Sequence, residues 1–277
     1  MRTLPLILAL LLAGCASRLP TRAEVAASDR RSDIRRVLAS DGQHLADWAG
    51  DRLVMLVDGP HWRVFREEST GTLGFFTPGD AASAGLVISA DGYVLTSAHG
   101  VSGRRVLAIL PGWGDGSPMI PRDARVVWSG ASGGVDLALL KIDLFSTDAP
   151  LPHLPPGDFA TNVGRGEEIL MVGIAPDASI DGGPPPRVAA AGEAIGDRPT
   201  RDGFSRLRVD APVRPGFSGG PGLTDGGELA GITARLYITP TLTSLFPLPQ
   251  FRPAFTTDLY RPDARFIANL IASDRSP

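Results

Sequence analysis

Ser218 sits in the run GFSGGP, within the longer stretch VDAPVRPGFSGGPGL. On its own a serine followed by two glycines is a turn, because glycine tolerates positive φ and serine hydrogen-bonds locally. It becomes a nucleophile where a histidine can take its proton and a carboxylate holds that histidine in the right tautomer. Such groups come from distant parts of a chain, so each is judged by the element that carries it. The chain has four histidines. His44 lies in a charged N-terminal stretch, His61 follows Pro60, and His153 sits in a proline-rich segment. His99 alone directly follows a strand-like run, YVLTSA, inside a domain. Acyl transfer through a serine is the chemistry these residues could support.

The composition narrows the classes. The chain has 277 residues, a net charge of -3 and 43% hydrophobic residues, enough for one or two cores. Its basic residues are scattered rather than grouped beside aromatic platforms, which argues against nucleic acid as a partner. One cysteine, Cys15, leaves no disulfide and no cysteine chemistry in a mature domain, and the dispersed histidines form no zinc-like spacing. Neither a metal nor a cofactor is expected. With 33 glycines and 25 prolines, many short strands joined by turns are expected in place of long helices.

The elements needed to position His99 and Ser218 can be read along the chain. RLVMLVDG, WRVF, RRVLAIL, ARVVW and VDLALLKI read as short strands, and SAGLVISADGYVLTSAHGV reads as two strands across an Asp91-Gly92 hairpin turn. Six or more strands thus precede residue 150. A linker at 151–163, rich in proline and glycine, leads to a second strand-rich half at 164–240. After it come a loop and a helix within 241–277, where Phe266, Ile267, Leu270 and Ile271 recur at helical spacing behind Pro262. The first half is placed at 51–150. Residues 15–50 are rich in Arg, Asp and Ala and read as a tether with a helix around 29–39.

Three segments resemble trypsin-fold serine proteases of the HtrA/DegP type. SAGLVISADGYVLTSAHGV is similar to their histidine segment, GVDLALLKI to their aspartate segment, and VDAPVRPGFSGGPGL to their serine segment, in the same order along the chain. The resemblance covers residues 52–272. It implies an all-β fold of two six-stranded antiparallel barrels with a C-terminal helix, and polypeptide substrates. It implies His99 as general base, Asp136 as its orienting carboxylate, Ser218 as nucleophile, and the backbone N–H groups of Gly216 and Ser218 as the oxyanion hole. Asp123 and Asp143 do not head the strand DLALLKI and are set aside. The substrate pocket is expected from Ala211, Pro212, Val213, Phe217, Ile232, Thr233 and Ala234.

The chain departs from that pattern in several places. Phe217 stands where relatives have Asn or Asp, so activation by an ion pair there is ruled out, and its ring is expected on the leaving-group side of the cleft. Gly100 follows the histidine where valine is usual and is expected to loosen the turn. A PDZ domain of the kind such proteases carry is not expected after the strand ITARLYI. Pro212 occupies the position that is acidic in the Arg/Lys-specific branch, so small or medium aliphatic residues are expected at the cleaved position. An apolar run from Leu4 to Leu12 ending LAGC is similar to a bacterial lipoprotein signal, 1–14, with Cys15 as the lipidated residue. Ala16 then implies the periplasmic face of the outer membrane, with the bilayer as a partner. The competing expectation is a protease-fold binding or chaperone-like lipoprotein whose triad is silent; an esterase or acyltransferase ranks third.

Overall fold

The computed structural model describes residues 42–58, 63–66, 73–76, 82–101, 105–111, 121–131, 134–175, 186–200, 204–213, 215–244 and 250–276. Cys15, His61 and the helix expected around 29–39 lie outside them.

Along the chain run α1 (Gly42–Gly50), β1 (Leu53–Asp58), β2 (Arg63–Arg66), β3 (Leu73–Phe76), β4 (Ala82–Val87), β5 (Tyr93–Thr96), β6 (Val106–Ile109), β7 (Pro121–Ser129) and β8 (Ala138–Ile142). The second half holds β9 (Glu168–Ile174), β10 (Arg187–Pro199), β11 (Ser205–Asp210), β12 (Pro221–Thr224), β13 (Leu229–Ser244), β14 (Gln250–Arg261) and α2 (Ala264–Arg275). The expected architecture is present. Strands β1-β4-β5-β8-β7-β6 close one antiparallel barrel and β10-β11-β14-β13-β12-β9 close another, while β2 and β3 form a separate hairpin. Closure leaves neither barrel an open edge of unpaired backbone groups.

All six residues of β4 are buried, which a strand facing solvent on one side could not manage. Val87, Val94 and Leu140 fill one cluster, whereas Ala84, Leu86 and Leu95 join a second cluster that continues into Leu170, Val172 and Leu223 of the other barrel. The continuous apolar runs at 84–88 and 137–140 are thus the sequence signature of the barrel wall that meets its neighbour. Between the barrels the chain is stitched to both. Leu151 N–H donates to Ala90 O and Leu154 N–H to Val87 O, then Ala160 N–H donates to Leu229 O.

Two boundaries differ from expectation. The barrel placed at 164–240 runs on through β14, whose pairing with β11 and β13 closes it, so 250–261 is a strand rather than part of a C-terminal loop. Pro247, Pro249 and Pro253 hid that strand, because proline removes a ladder donor. The tether placed at 15–50 is also shorter. Residues 42–50 form α1 against β9, with Ala49 fully buried and Trp48 stacked by the Arg52 guanidinium at 3.7 Å.

The helix α2 is capped by Asp263, whose carboxylate accepts from Phe266 N–H at 2.6 Å, and it buries Ile267 and Ile271 one turn apart. Its Phe266 meets Trp128 of β7 and Phe204 beside β11 at centroid distances of 5.2 and 5.7 Å, so one aromatic cluster joins helix and both barrels. At its far end the helix grips the first barrel. Asp274 accepts from Tyr93 Oη at 2.7 Å and from both Arg125 guanidinium nitrogens at 2.8 and 2.6 Å, and Arg275 donates to Asp91 at 2.6 Å. Arg125 and then the Tyr93 hydroxyl hold the Asp274 carboxyl down to about 2. A carboxyl depressed in the folded state contributes stability above its unfolded value and loses it as pH falls through the folded one. Asp274→Asn should therefore cost about 1–2 kcal/mol at neutral pH, with Arg125 half exposed setting the low end. Thermal melts should show the difference between variant and parent shrinking between about pH 4 and pH 2; a constant difference across that window would refute the assignment.

Candidate active site

The register of two neighbouring strands delivers the first pair of residues. Thr96 of β5 opposes Ala138 of β8, so extending the antiparallel ladder two residues past each strand end brings residue 98, and with it His99, beside Asp136. There β5 turns into a 3-10 segment, Ala98–Val101, which carries His99. Asp136 takes both hydrogen bonds this turn offers. Its Oδ1 accepts from His99 N–H at 2.9 Å and its Oδ2 lies 2.7 Å from His99 Nδ1. Burial pushes the Asp136 carboxyl up, but the two His99 bonds outweigh it and hold the group below the ordinary carboxylate range. An ionised carboxylate only accepts, so Nδ1 carries the proton and Nε2 keeps its lone pair. The imidazole, half exposed, is thereby oriented as a base.

Ser218 belongs to a loop between β11 and β12 that is held by three of its carbonyls, two of them by strands and one within the loop itself. Gly216 O accepts from Ile174 N–H of β9 at 3.1 Å, Phe217 O from Gly220 N–H at 2.9 Å, and Ser218 O from Ala84 N–H of β4 at 2.8 Å. The last bond crosses from one barrel to the other. Gly219 N–H donates to Thr233 O and Thr233 N–H to Gly220 O, pinning the loop on β13. Gly216 has φ +100° and Gly219 φ +82°, both left-handed values. A Cβ on Gly219 would lie 2.1 Å from Ala84 O and from Thr96 Oγ1, so this position has no room for a side chain. Among the described residues the N–H groups of Gly216 and Ser218 make no hydrogen bond, and neither does Ser218 Oγ. The His99–Asp136 pair is assembled, and the serine loop is seated two residues from it, against Thr96 and Ser97.

An open groove of about 550 Å³ runs past His99 and Asp136, walled by Ala98, Gly134, Val135, Ala234, Arg235 and Leu236. Of the expected pocket residues it contains only Ala234. Ala211, Val213 and Phe217 are 1%, 4% and 2% exposed and pack with Ile169, Met171, Val209 and Leu259 in the core of the second barrel. Ile232 and Thr233 are likewise buried, and Pro212 is half-buried. The Phe217 ring is thus not on the leaving-group side of a cleft: its Cα and Cγ would lie 2.6 and 2.9 Å from a Cβ on Gly173, beneath the loop. Burying it contributes about 2–3 kcal/mol. The expectation for Gly100 is also corrected. A Cβ there would lie 2.7 Å from Ser83 Oγ and 3.0 Å from Ser83 Cβ, so the glycine is a close-packed contact and not a loosened turn.

Arg235 was missed by the sequence reading, although it follows Ala234 directly in β13. Two of the residues set aside have structural partners. Asp123 pairs with Arg105 at 2.6 Å, and His153 Nδ1 lies 3.0 Å from Leu151 O. Among the described residues no group of three or more His, Cys, Asp or Glu side chains gathers to hold a metal, and no helix is long and apolar enough to cross a membrane. Gly219→Ala is expected to cost about 3 kcal/mol or more, the sum of left-handed strain and overpacking. Denaturant titration checks this; a loss under about 1 kcal/mol would mean that the loop has slack.

A family described as a trypsin-like peptidase domain matches residues 83–232, just over half of the 277. The chain is 30% identical over 156 residues to a probable periplasmic serine endoprotease DegP-like of Marinomonas sp. (strain MWYL1), covering 56% of this chain and 29% of that protein. It is 33% identical over 160 residues to the protein of the same description in Brucella suis biovar 1, covering 57% and 28%. The chain thus spans under a third of the length of these curated relatives. A crystal structure of the serine endoprotease from Yersinia pestis superposes with a TM-score of 0.49 at 22% identity, covering 84% of this chain and 67% of that one. The matched span begins in β4 and ends in β13, taking in both strand ends that carry the His99–Asp136 pair and the whole Ser218 loop, and on it the chain belongs to the trypsin-like peptidase domain family.

Proposed function

We propose that the chain is a serine endopeptidase acting through His99, Asp136 and Ser218. The observation that carries this reading is the doubly bonded His99–Asp136 pair beside a loop whose Gly216 and Ser218 N–H groups are unpaired among the described residues. Ser218 Oγ attacks the scissile carbonyl as its proton passes to His99 Nε2. The oxyanion that forms is met by the N–H groups of Gly216 and Ser218, and the imidazolium is stabilised by Asp136. His99 then protonates the departing amine, and water repeats the sequence on the acyl-enzyme to release the acid and restore Ser218. A serine–histidine hydrogen bond commonly tightens only with substrate present, so a resting Ser218 Oγ without one suits this cycle.

Small and medium aliphatic side chains are the proposed residues at the cleaved bond, since Ala98, Val135, Ala234 and Leu236 of the groove wall are apolar and its one carboxylate, Asp136, is committed to His99, leaving nothing to offset the desolvation of Lys or Arg. The relatives are named periplasmic. With Cys15 lipidated after the LAGC run, the enzyme would work on envelope polypeptides at the periplasmic face of the outer membrane. The resting state of Ser218 also favours one rival reading, a protease-fold binding or chaperone-like lipoprotein.

A fluorophosphonate probe separates the two. Labelling of the parent that disappears in Ser218→Ala and His99→Ala supports catalysis; an unlabelled parent, beside a control protease that reacts, supports the binding protein. Asp136→Asn should retain the fold while lowering kcat by about 10⁴-fold, as the loss of the orienting carboxylate does in other triads. In a peptide panel, cleavage after Val or Ala should dominate, and preferential cleavage after Lys or Arg would overturn the specificity assignment.

A further inference from the structure

Beside the groove, and sharing Gly134, Asp136 and Arg235 with it, lies a smaller and more enclosed recess of about 160 Å³. Arg206, Arg235, Tyr237, Asp258 and Tyr260 form the rest of its wall. Its charges do not cancel. Asp258, 3% exposed, gives its Oδ1 and Oδ2 to Arg208 at 2.7 and 3.2 Å, with Arg206 at 3.4 Å from the same Oδ2. Both oxygens of Asp136 are engaged by His99. Three guanidiniums, of Arg206 and Arg235 in the wall and Arg208 behind it, therefore stand against two carboxylates, Asp258 accepting from Arg208 and Arg206 and Asp136 committed to His99.

Arg235 is the guanidinium left over. Its head is exposed, it makes no ion pair or hydrogen bond among the described residues, and it acts on Asp136 only through the field. Arg206 adds a donor, since its Nε is buried and has no hydrogen-bond partner among the described residues. A buried guanidinium N–H without an acceptor is costly, and a ligand oxygen would relieve it.

We propose that this recess is a specificity site for a carboxylate side chain of the substrate, received by Arg235 with Arg206 behind it. The proposal rests on the endopeptidase reading for the identity of the ligand as a polypeptide. One negative charge balances the site. A doubly charged phosphate would overshoot the balance and be repelled by Asp258 and Asp136, and a basic side chain would add to the excess. Because the groove passes His99 before it reaches Arg235, the acidic residue would lie within a few positions of the cleaved bond.

The test compares peptides that differ only by Glu or Gln at each of the three positions on either side of an aliphatic cleavage residue, using the full chain. The Glu/Gln ratio of kcat/KM at one position should be about two- to five-fold, the upper part of the range for an exposed ion pair. It should fall to about one in Arg235→Gln, drop below one in Arg235→Glu, and shrink as salt rises from about 0.05 to 0.5 M. Taking a ratio cancels any general effect of Arg235 on the nearby Asp136. A parent ratio near one at every position, or a ratio unchanged in Arg235→Gln, would overturn the proposal. If no peptide is cut at all, the endopeptidase reading fails by itself. Fluorescence anisotropy of the same peptide pairs on Ser218→Ala then decides the recess: tighter Glu binding that Arg235→Gln removes supports it, and equal binding refutes it.

Discussion

The hydrogen bond from Ala84 N–H to Ser218 O is the constraint on which the rest of the site depends. Ala84 spends its amide on the other barrel's loop, while its carbonyl accepts from Thr96 Oγ1 at 2.7 Å, a buried bond within its own barrel. One residue thus links the loop carrying Ser218 to the strand end that leads to His99. Gly219 allows the link, because the loop backbone must come within contact of Ala84 O and Thr96 Oγ1. Few chemical groups are involved, and none of them tolerates added volume.

The labour is divided unevenly between the barrels. The first assembles an oriented base from its own register, since the ends of β5 and β8 are neighbours before the second barrel is considered. The second contributes a loop shaped by Gly216 and Gly219 and weighted from below by Phe217. A charged residue at 217 would need a partner in the core; the phenyl ring needs only Ile169, Met171 and their neighbours. The loop conformation that leaves the Gly216 and Ser218 amides unpaired among the described residues is therefore supported by hydrophobic burial, which depends on no protonation state.

Much of this arrangement could be read from sequence, and the reasons differ by residue. His99 was legible because it alone of the four histidines follows a strand-like run inside a domain, and Asp136 because GVDLALLKI resembles the aspartate segment of HtrA-type proteases. Two strand-rich halves followed from turn chemistry and short apolar runs, and their closure into barrels from the same resemblance. Phe217 was misplaced because its neighbours Gly216 and Ser218 face the site, and adjacency along a loop with positive φ says nothing about direction. β14 was missed because its prolines mimic a loop. Arg235 was missed because a bulge between Thr233 and Arg235 breaks the alternation by which a strand's two faces are told apart.

The grip of α2 on the first barrel has a consequence for the order of events in a chain that emerges N-terminus first. All six strands of that barrel have been made by Ile142, yet Asp91 and Tyr93, at the hairpin that leads into the His99 strand, meet Arg275 and Asp274 only some 130 residues later. The support of the His99 strand is thus finished after the Ser218 loop is already in existence. A chain interrupted between the end of β14 and the helix would hold His99, Asp136 and Ser218 and both closed barrels, yet lack the fastening beneath the first of them.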